Sequence, residues 1–143
     1  MITIRASAPA DVPAMLEAWR EAVRATHDFL SAEDFVAIEA IVAEQYLPAA
    51  SFAVAVDEAD RAVAFMGLSG THLDALFVHP DHRGAGVGKA LMASAPEIET
   101  VDVNEQNPQA VGFYERQGFR TVGRSPLDDA GRPYPILHMR RGV

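Results

Sequence analysis

The spacing of apolar and polar residues changes several times along the chain, and each change marks an element. Met1-Ile2-Thr3-Ile4-Arg5 alternates with period 2, which predicts a short strand over Ile2–Arg5. From Asp11 to about Ala25, Val12, Met15, Leu16, Trp19 and Val23 recur at helical spacing and predict an amphipathic helix. Ser31-Ala32-Glu33-Asp34 resembles a capping box with Asp in the place of Glu. It opens a second helix with Phe35, Ile38, Ile41 and Val42 on one side, ended by Pro48. Between the helices, Thr26-His27-Asp28-Phe29-Leu30 has no period and is either a plain connector or a loop lining a cavity. Phe52 to Val56 and Ala62 to Ser69 are apolar runs joined by a polar turn, a hairpin pattern. Gly70 breaks the run before a third strand, Thr71 to Val78. Further strands are expected over Ile98–Val103, Thr121–Gly123 and Ile136–Arg140, with a helix over Pro108–Gln117. Early helices, a run of strands and then alternating elements predict a mixed sheet covered by helices.

Composition narrows this picture. A chain of 143 residues, 49% apolar and 22% charged, is expected to form one domain over residues 1–143. Zero cysteines exclude a disulfide framework and thiolate metal sites, and fit a reducing compartment. The N-terminus lacks the apolar block of a signal peptide, and no run approaches the ~20 apolar residues of a membrane span. The net charge of −8 argues against nucleic acid and anionic membranes and favours cationic partners such as amines. The expected compartment is the cytoplasm.

Chemistry concentrates in two stretches. In Leu76-Phe77-Val78-His79-Pro80-Asp81-His82-Arg83-Gly84-Ala85-Gly86-Val87-Gly88-Lys89 an apolar strand feeds a loop with three glycines, and a helix follows. Backbone N–H groups and the positive end of a helix dipole would converge there, which suits a phosphate. Alone, the cluster could also be a tight strand–helix connection that binds nothing. It is not a Walker A loop: Arg83 holds the place of the first Gly, and Ala90 follows Lys89 where Ser or Thr is required. It is not a dinucleotide fingerprint either, because the third glycine would fall at Lys89 or Leu91. The second stretch runs from Asn104 to Phe119. Asn107 reads as an N-cap, Pro108 as the first helical residue and Gly118 as the stop, while Phe113 and Tyr114 could be core aromatics.

Arg83-x-x-Gly86-x-Gly88 resembles the acyl-CoA pyrophosphate loop of the GCN5-related N-acetyltransferases (GNAT). Asn107-x-x-Ala110-x-x-Phe113-Tyr114-x-x-x-Gly118-Phe119 is similar to the family's other signature. The Thr26–Leu30, Asn104–Asn107 and Pro133–Pro135 stretches also resemble a small YjaB-like branch. The resemblance implies an α/β (α+β) GNAT fold. Its mixed, mostly antiparallel sheet would have about six to seven strands, helices on both faces and a splayed parallel pair holding CoA. It implies an N-acetyltransferase that moves the acetyl group of acetyl-CoA to a primary amine by direct attack in a ternary complex. A non-catalytic CoA-binding module is the alternative.

Residue roles follow from the resemblance. Amides around Gly86, Gly88 and Lys89 would hold the pyrophosphate, with Arg83 and Gly84 shaping the loop and Ala85 and Val87 offering further N–H groups. Leu76 and Val78, with Phe77 between them, would pair through their main chain with the pantetheine arm. Asn104, Asn107 and Ala110 would contact the cofactor, and Tyr114 would protonate the departing thiolate. Direct attack needs no Ser or Cys nucleophile, and no serine with triad partners is apparent in the sequence. An ammonium of pKa ~10.4 is neutral only about once in a few thousand at pH 7, so a base or water chain helps. His72 is the side-chain candidate for the base, with Asp74 on the same strand face and His27 able to approach from the loop; a water relay without a single base is also open. His27, Phe29, Asp74 and Tyr134, beside Pro135, are the expected acceptor wall. The acceptor is an amine-bearing small molecule or a protein lysine, the chain is a monomer or homodimer, and no metal site is expected. Lys89 to Glu97, interrupted by Pro96, leaves a shorter helix after the glycine loop than the family usually has.

Overall fold

The computed structural model describes residues 2–49 and 51–142; Met1, Ala50 and Val143, and so both ends of the expected 1–143 domain, lie outside the described residues. The chain forms two compact units, Met1–Leu68 with Ala75–Pro96, and Ser69–Asp74 with Glu97–Val143. In chain order the elements are β1 (Thr3–Ala6), α1 (Val12–Thr26), α2 (Ala32–Ile41), β2 (Ala53–Val56), β3 (Ala62–Ser69), β4 (His72–Val78), α3 (Val87–Ala93), β5 (Thr100–Asn104), α4 (Pro108–Arg116), β6 (Phe119–Ser125) and β7 (Ile136–Arg141). The strand order is β1-β2-β3-β4-β5-β7-β6, mostly antiparallel with β4 and β5 parallel. Strand β4 gives its first residues to the second unit and its last to the first.

In the first unit, α1 presents Met15, Trp19 and Val23 to Phe52, Val54, Val56 and Phe65, all buried. The helical spacing read from the sequence is therefore the spacing of the core face. Trp19 meets Phe35 at 5.6 Å and Phe77 at 6.5 Å between ring centroids. Phe65 links Phe52 and Phe77, so the side chain of Phe77 belongs to this core. Ser31 caps α2 by accepting from Asp34 N, as its sequence predicts. The continuation differs. The α-helical pattern stops at Ile41 and widens into a π turn over Val42–Tyr46, where Leu47 N donates to Val42 O. Pro48 lies beyond that turn, and Ile41 is 43% exposed rather than on the buried side.

Arg5 of β1 donates to both carboxylate oxygens of Asp11, at 2.8 and 2.9 Å, and Asp11 also accepts from Ala8 N. These bonds hold the Asp11 carboxyl below the usual carboxylate range, the guanidinium being the main cause. A depressed carboxylate contributes stability above its unfolded pKa of ~3.9 and loses it as pH falls through the folded value. Asp11→Asn is expected to cost about 2 kcal/mol at pH 7, the range of charge-assisted bonds, and to flatten the acid limb of the melting-temperature profile.

In the second unit β5 and β7 are antiparallel neighbours, with Asp102 opposite His138, and β6 pairs with β7 from Phe119 to Ser125. The strand expected over Thr121–Gly123 is thus longer, because β7 supplies it with partners at both ends. Val101, Val103, Met139, Phe119 and Tyr114 are buried. Helix α4 packs on β5 and β6 and covers this face. The other face carries the alternate residues, Thr100 and Asp102 of β5 and His138 of β7. Beside β4, the parallel register consists of His72↔Thr100 and Leu73↔Val101 among the described residues.

Candidate active site

In the first unit the glycine loop is built by local rules. His79 N donates to Val63 O, which anchors the end of β4. A single 3-10 turn, Pro80–His82, follows, and the His79 ring accepts from Asp81 N at its start. Gly84 and Gly86 then take φ of +80° and +78°, the left-handed region that L side chains rarely enter. A Cβ at either would have open space around it, so the glycines answer a conformational need and not a crowded one. Gly86 is the N-cap of α3. Val87 points its side chain into the core, 3% exposed, while Arg83, Gly84, Ala85 and Gly86 are exposed. Amides near the N-terminus of α3 thus stand at an open surface, a geometry that accepts anions. As the sequence predicts, α3 is short, Val87–Ala93.

The same unit carries the Thr26–Leu30 stretch. Thr26 Oγ1 donates to Ala22 O at 2.8 Å and meets His27 Nδ1 at 2.7 Å. With its own hydrogen committed, that hydroxyl accepts, so His27 carries its proton on Nδ1. Burial lowers the His27 pKa to about 4 and keeps the ring neutral. Phe29 stacks against it at 5.1 Å.

In the second unit Asn107 is 7% exposed and its side chain accepts from Ala110 N at 3.2 Å. The Asn107 carbonyl oxygen and the Ala110 amide are therefore occupied with capping α4. Asn104 ends β5 opposite Ile136, and its C=O accepts from Asn107 N. Tyr114 sits between Phe113 and Phe119, with ring centroids at 5.2 and 5.8 Å. Burial pushes its phenol above the ordinary range, which keeps the hydroxyl protonated. Tyr134 is also buried, at 8% exposure. Asp74 is exposed and accepts from Ser69 Oγ.

His72 is not an isolated imidazole. Its Nδ1 lies 2.7 Å from Thr100 Oγ1, and its Nε2 lies 3.6 Å from Asp102 Oδ2. The other oxygen of Asp102 is 2.7 Å from His138 Nδ1, and His138 Nε2 is 2.7 Å from Ser125 Oγ. The sequence showed no serine with triad partners; the structure contains one, in Ser125, His138 and Asp102. These residues come from three strands whose order, β5-β7-β6, is not the chain order, so no local pattern joins them. The only available signal was the period-2 placement of Asp102 and His138. Among the described residues no group of three or more His, Cys, Asp or Glu could hold a metal ion.

The chain is an acyl-CoA-dependent N-acetyltransferase and belongs to the GNAT family: the family's model, Acetyltransferase (GNAT) domain, matches residues 48–121. The peptidyl-lysine N-acetyltransferase YjaB of Escherichia coli (strain K12) is 50% identical over 143 residues, covering 97% of this chain and 96% of that protein. The solution structure of apo-form YjaB from Escherichia coli superposes with a TM-score of 0.91 at 48% identity, covering 99% and 98% of the two chains. The PaiA N-acetyltransferase of Thermoplasma acidophilum, solved in complex with coenzyme A, shares the fold with a TM-score of 0.74 at 18% identity over 98% and 99% of the chains. Acetyl-CoA is the acyl donor and an amine is the acceptor.

Proposed function

We propose that this chain acetylates lysine side chains of proteins, by direct attack of the amine on acetyl-CoA in a ternary complex. The observation that carries the acceptor is the near full-length likeness to YjaB, which is named for peptidyl-lysine. The net charge of −8 supports it, since a lysine-bearing segment is cationic. That likeness spans both compact units, which supports one acetyltransferase domain over 1–143. Among the described residues no helix is long and apolar enough to cross a membrane, and a cytoplasmic setting fits the acceptor proposed.

The roles follow the resemblance and the local geometry. The amides from Gly84 to Lys89 hold the pyrophosphate, and the left-handed glycines with open space at Cβ support main-chain contact there. Main-chain groups of Leu76 and Val78 take the pantetheine arm, while Phe77 contributes packing. Asn104 and Asn107 border the arm at the start of α4. Tyr114, kept protonated by its surroundings, gives its proton to the departing thiolate. His27 and Phe29 in the first unit, and Asp74 and Tyr134 in the second, are the acceptor-contacting candidates of each unit. His72 belongs to the proton-accepting machinery, with Nδ1 hydrogen-bonded to Thr100 Oγ1 and Nε2 3.6 Å from Asp102 Oδ2.

The test is thiol release from acetyl-CoA with lysine peptides, polyamines, small amines and antibiotics as acceptors. Lysine peptides are expected to accelerate release most, with the product modified on Nζ by mass spectrometry. Release with small amines alone would overturn the lysine reading. CoA binding without release for any acceptor would favour a CoA-binding regulator.

A further inference from the structure

We infer that His138, turned by Asp102 and reached through Ser125, takes the proton that the amine loses during acetyl transfer. The inference rests on the direct-attack reading above and names the base that the reading leaves open.

The hydrogen bonds fix the direction of the chain. An ionised carboxylate only accepts, so the 2.7 Å contact to Asp102 Oδ1 places the proton of His138 on Nδ1. The neutral ring then presents a bare Nε2, and Ser125 donates its hydroxyl proton to it across 2.7 Å. Ser125 Oγ keeps lone pairs that can accept from an incoming amine. His72 lacks this arrangement: Thr100 occupies its Nδ1, and its Nε2 faces Asp102 beyond hydrogen-bond length at 3.6 Å. Its place is on the far side of Asp102, 3.6 Å from Oδ2 and outside the hydrogen-bonded chain.

The fold makes room for this chain. Asp102 is the first β5 residue past the last β4–β5 pair and stands opposite His138 in register. On β6 the residue opposite His138 is Gly123, beside a register shift, and the imidazole lies over it. A Cβ at Gly123 would meet the ring at an ordinary contact distance of 3.5 Å, so the imidazole packs along β6 towards Ser125. His138 is 40% exposed, so the proton can pass on to solvent. The strand face is also the one opposite α4, which carries Tyr114. Base and acid thus lie on the two sides of β5. The other charged groups of the relay face are Arg140, two residues along β7, Arg120, opposite it on β6, and Asp74 of β4, already held by Ser69.

The step balances. As the amine nitrogen bonds to the thioester carbon, its proton passes to Ser125 Oγ while the hydroxyl proton passes to His138 Nε2. The C–S bond then breaks, the thiolate takes a proton from Tyr114, the imidazolium releases its proton to water, and the Tyr114 phenolate regains one from water. Serine is regenerated without forming an acyl-enzyme.

The experiment is kcat/KM against pH for acetylation of a lysine peptide, with His138→Gln, Asp102→Asn, Ser125→Ala and His72→Gln compared with the parent. His138→Gln is expected to lose about 30-fold near neutral pH, to climb with hydroxide without a plateau, and to regain rate with added imidazole. Asp102→Asn and Ser125→Ala should lose about 10-fold, more than His72→Gln, with acetyl-CoA KM unchanged. A His138→Gln enzyme with the parent rate and pH profile overturns the inference, as does His72→Gln alone showing the hydroxide dependence. Should His138→Gln not fold, Ser125→Ala decides on the same profile. A parent enzyme that acetylates small amines and no lysine peptide counts against the lysine reading alone, and the same variants are then assayed on the small amine.

Discussion

Replacing Tyr114 with Phe is expected to lower kcat by ~10²-fold, the lower range for losing a positioned proton donor. Tyr114 is 7% exposed and flanked by Phe113 and Phe119, so the charged phenolate is disfavoured and the pKa rises. The sign matters: a raised phenol pKa keeps the neutral, donating form populated throughout the neutral and mildly alkaline range. No hydrogen bond within the described residues holds the hydroxyl, so its proton is available to a ligand. Phe preserves the ring contacts and removes only the proton. Melting temperature and acetyl-CoA KM should therefore stay close to the parent, and the loss should fall on kcat. Steady-state thiol release, with an acceptor for which transfer limits the rate, checks it. Parent kcat in Tyr114→Phe would remove the residue from the acid role.

How much of this was legible depends on the range of each interaction. The glycine loop and the Asn107–Pro108 start of α4 were readable because caps and turns are decided within about five residues. The helical spacing of Met15, Trp19 and Val23 was readable because one core face repeats every 3.6 residues. The relay was not, because β7 inserts between β5 and β6 and pairs residues 36 and 13 positions apart. Nor could the sequence reveal that both nitrogens of His72 have neighbours. A residue type states what a side chain can bond to; only the fold states what it has already bonded to. The π turn after α2 escaped for a related reason: a change from i+4 to i+5 bonding shifts the buried side without changing composition.

The second large effect concerns the donor. Gly86→Val is expected to weaken acetyl-CoA binding by ~10²-fold, the strain of a β-branched residue in the left-handed region and the loss of main-chain contact acting together. Gly86 has φ +78° and caps α3, so the loop direction there depends on a conformation that Val resists. A Cβ would meet nothing within 4 Å, so the substitution does not wedge the core apart. Stability and binding should therefore separate: unfolding free energy falls by about 1–3 kcal/mol, the cost of one strained residue. Affinity is lost in addition, because relaxing the strain turns amides away from the phosphates and the new methyls stand where the ligand must approach. Isothermal titration with acetyl-CoA and with dephospho-CoA reads the effect, which should be the same for both because the pyrophosphate is common to them. Parent affinity in a folded Gly86→Val protein would show that the pyrophosphate is held elsewhere. Gly70→Val supplies the control, since Gly70 has φ +61° and open space around its Cβ but lies in the β3–β4 turn, so it carries the backbone strain without the anion site.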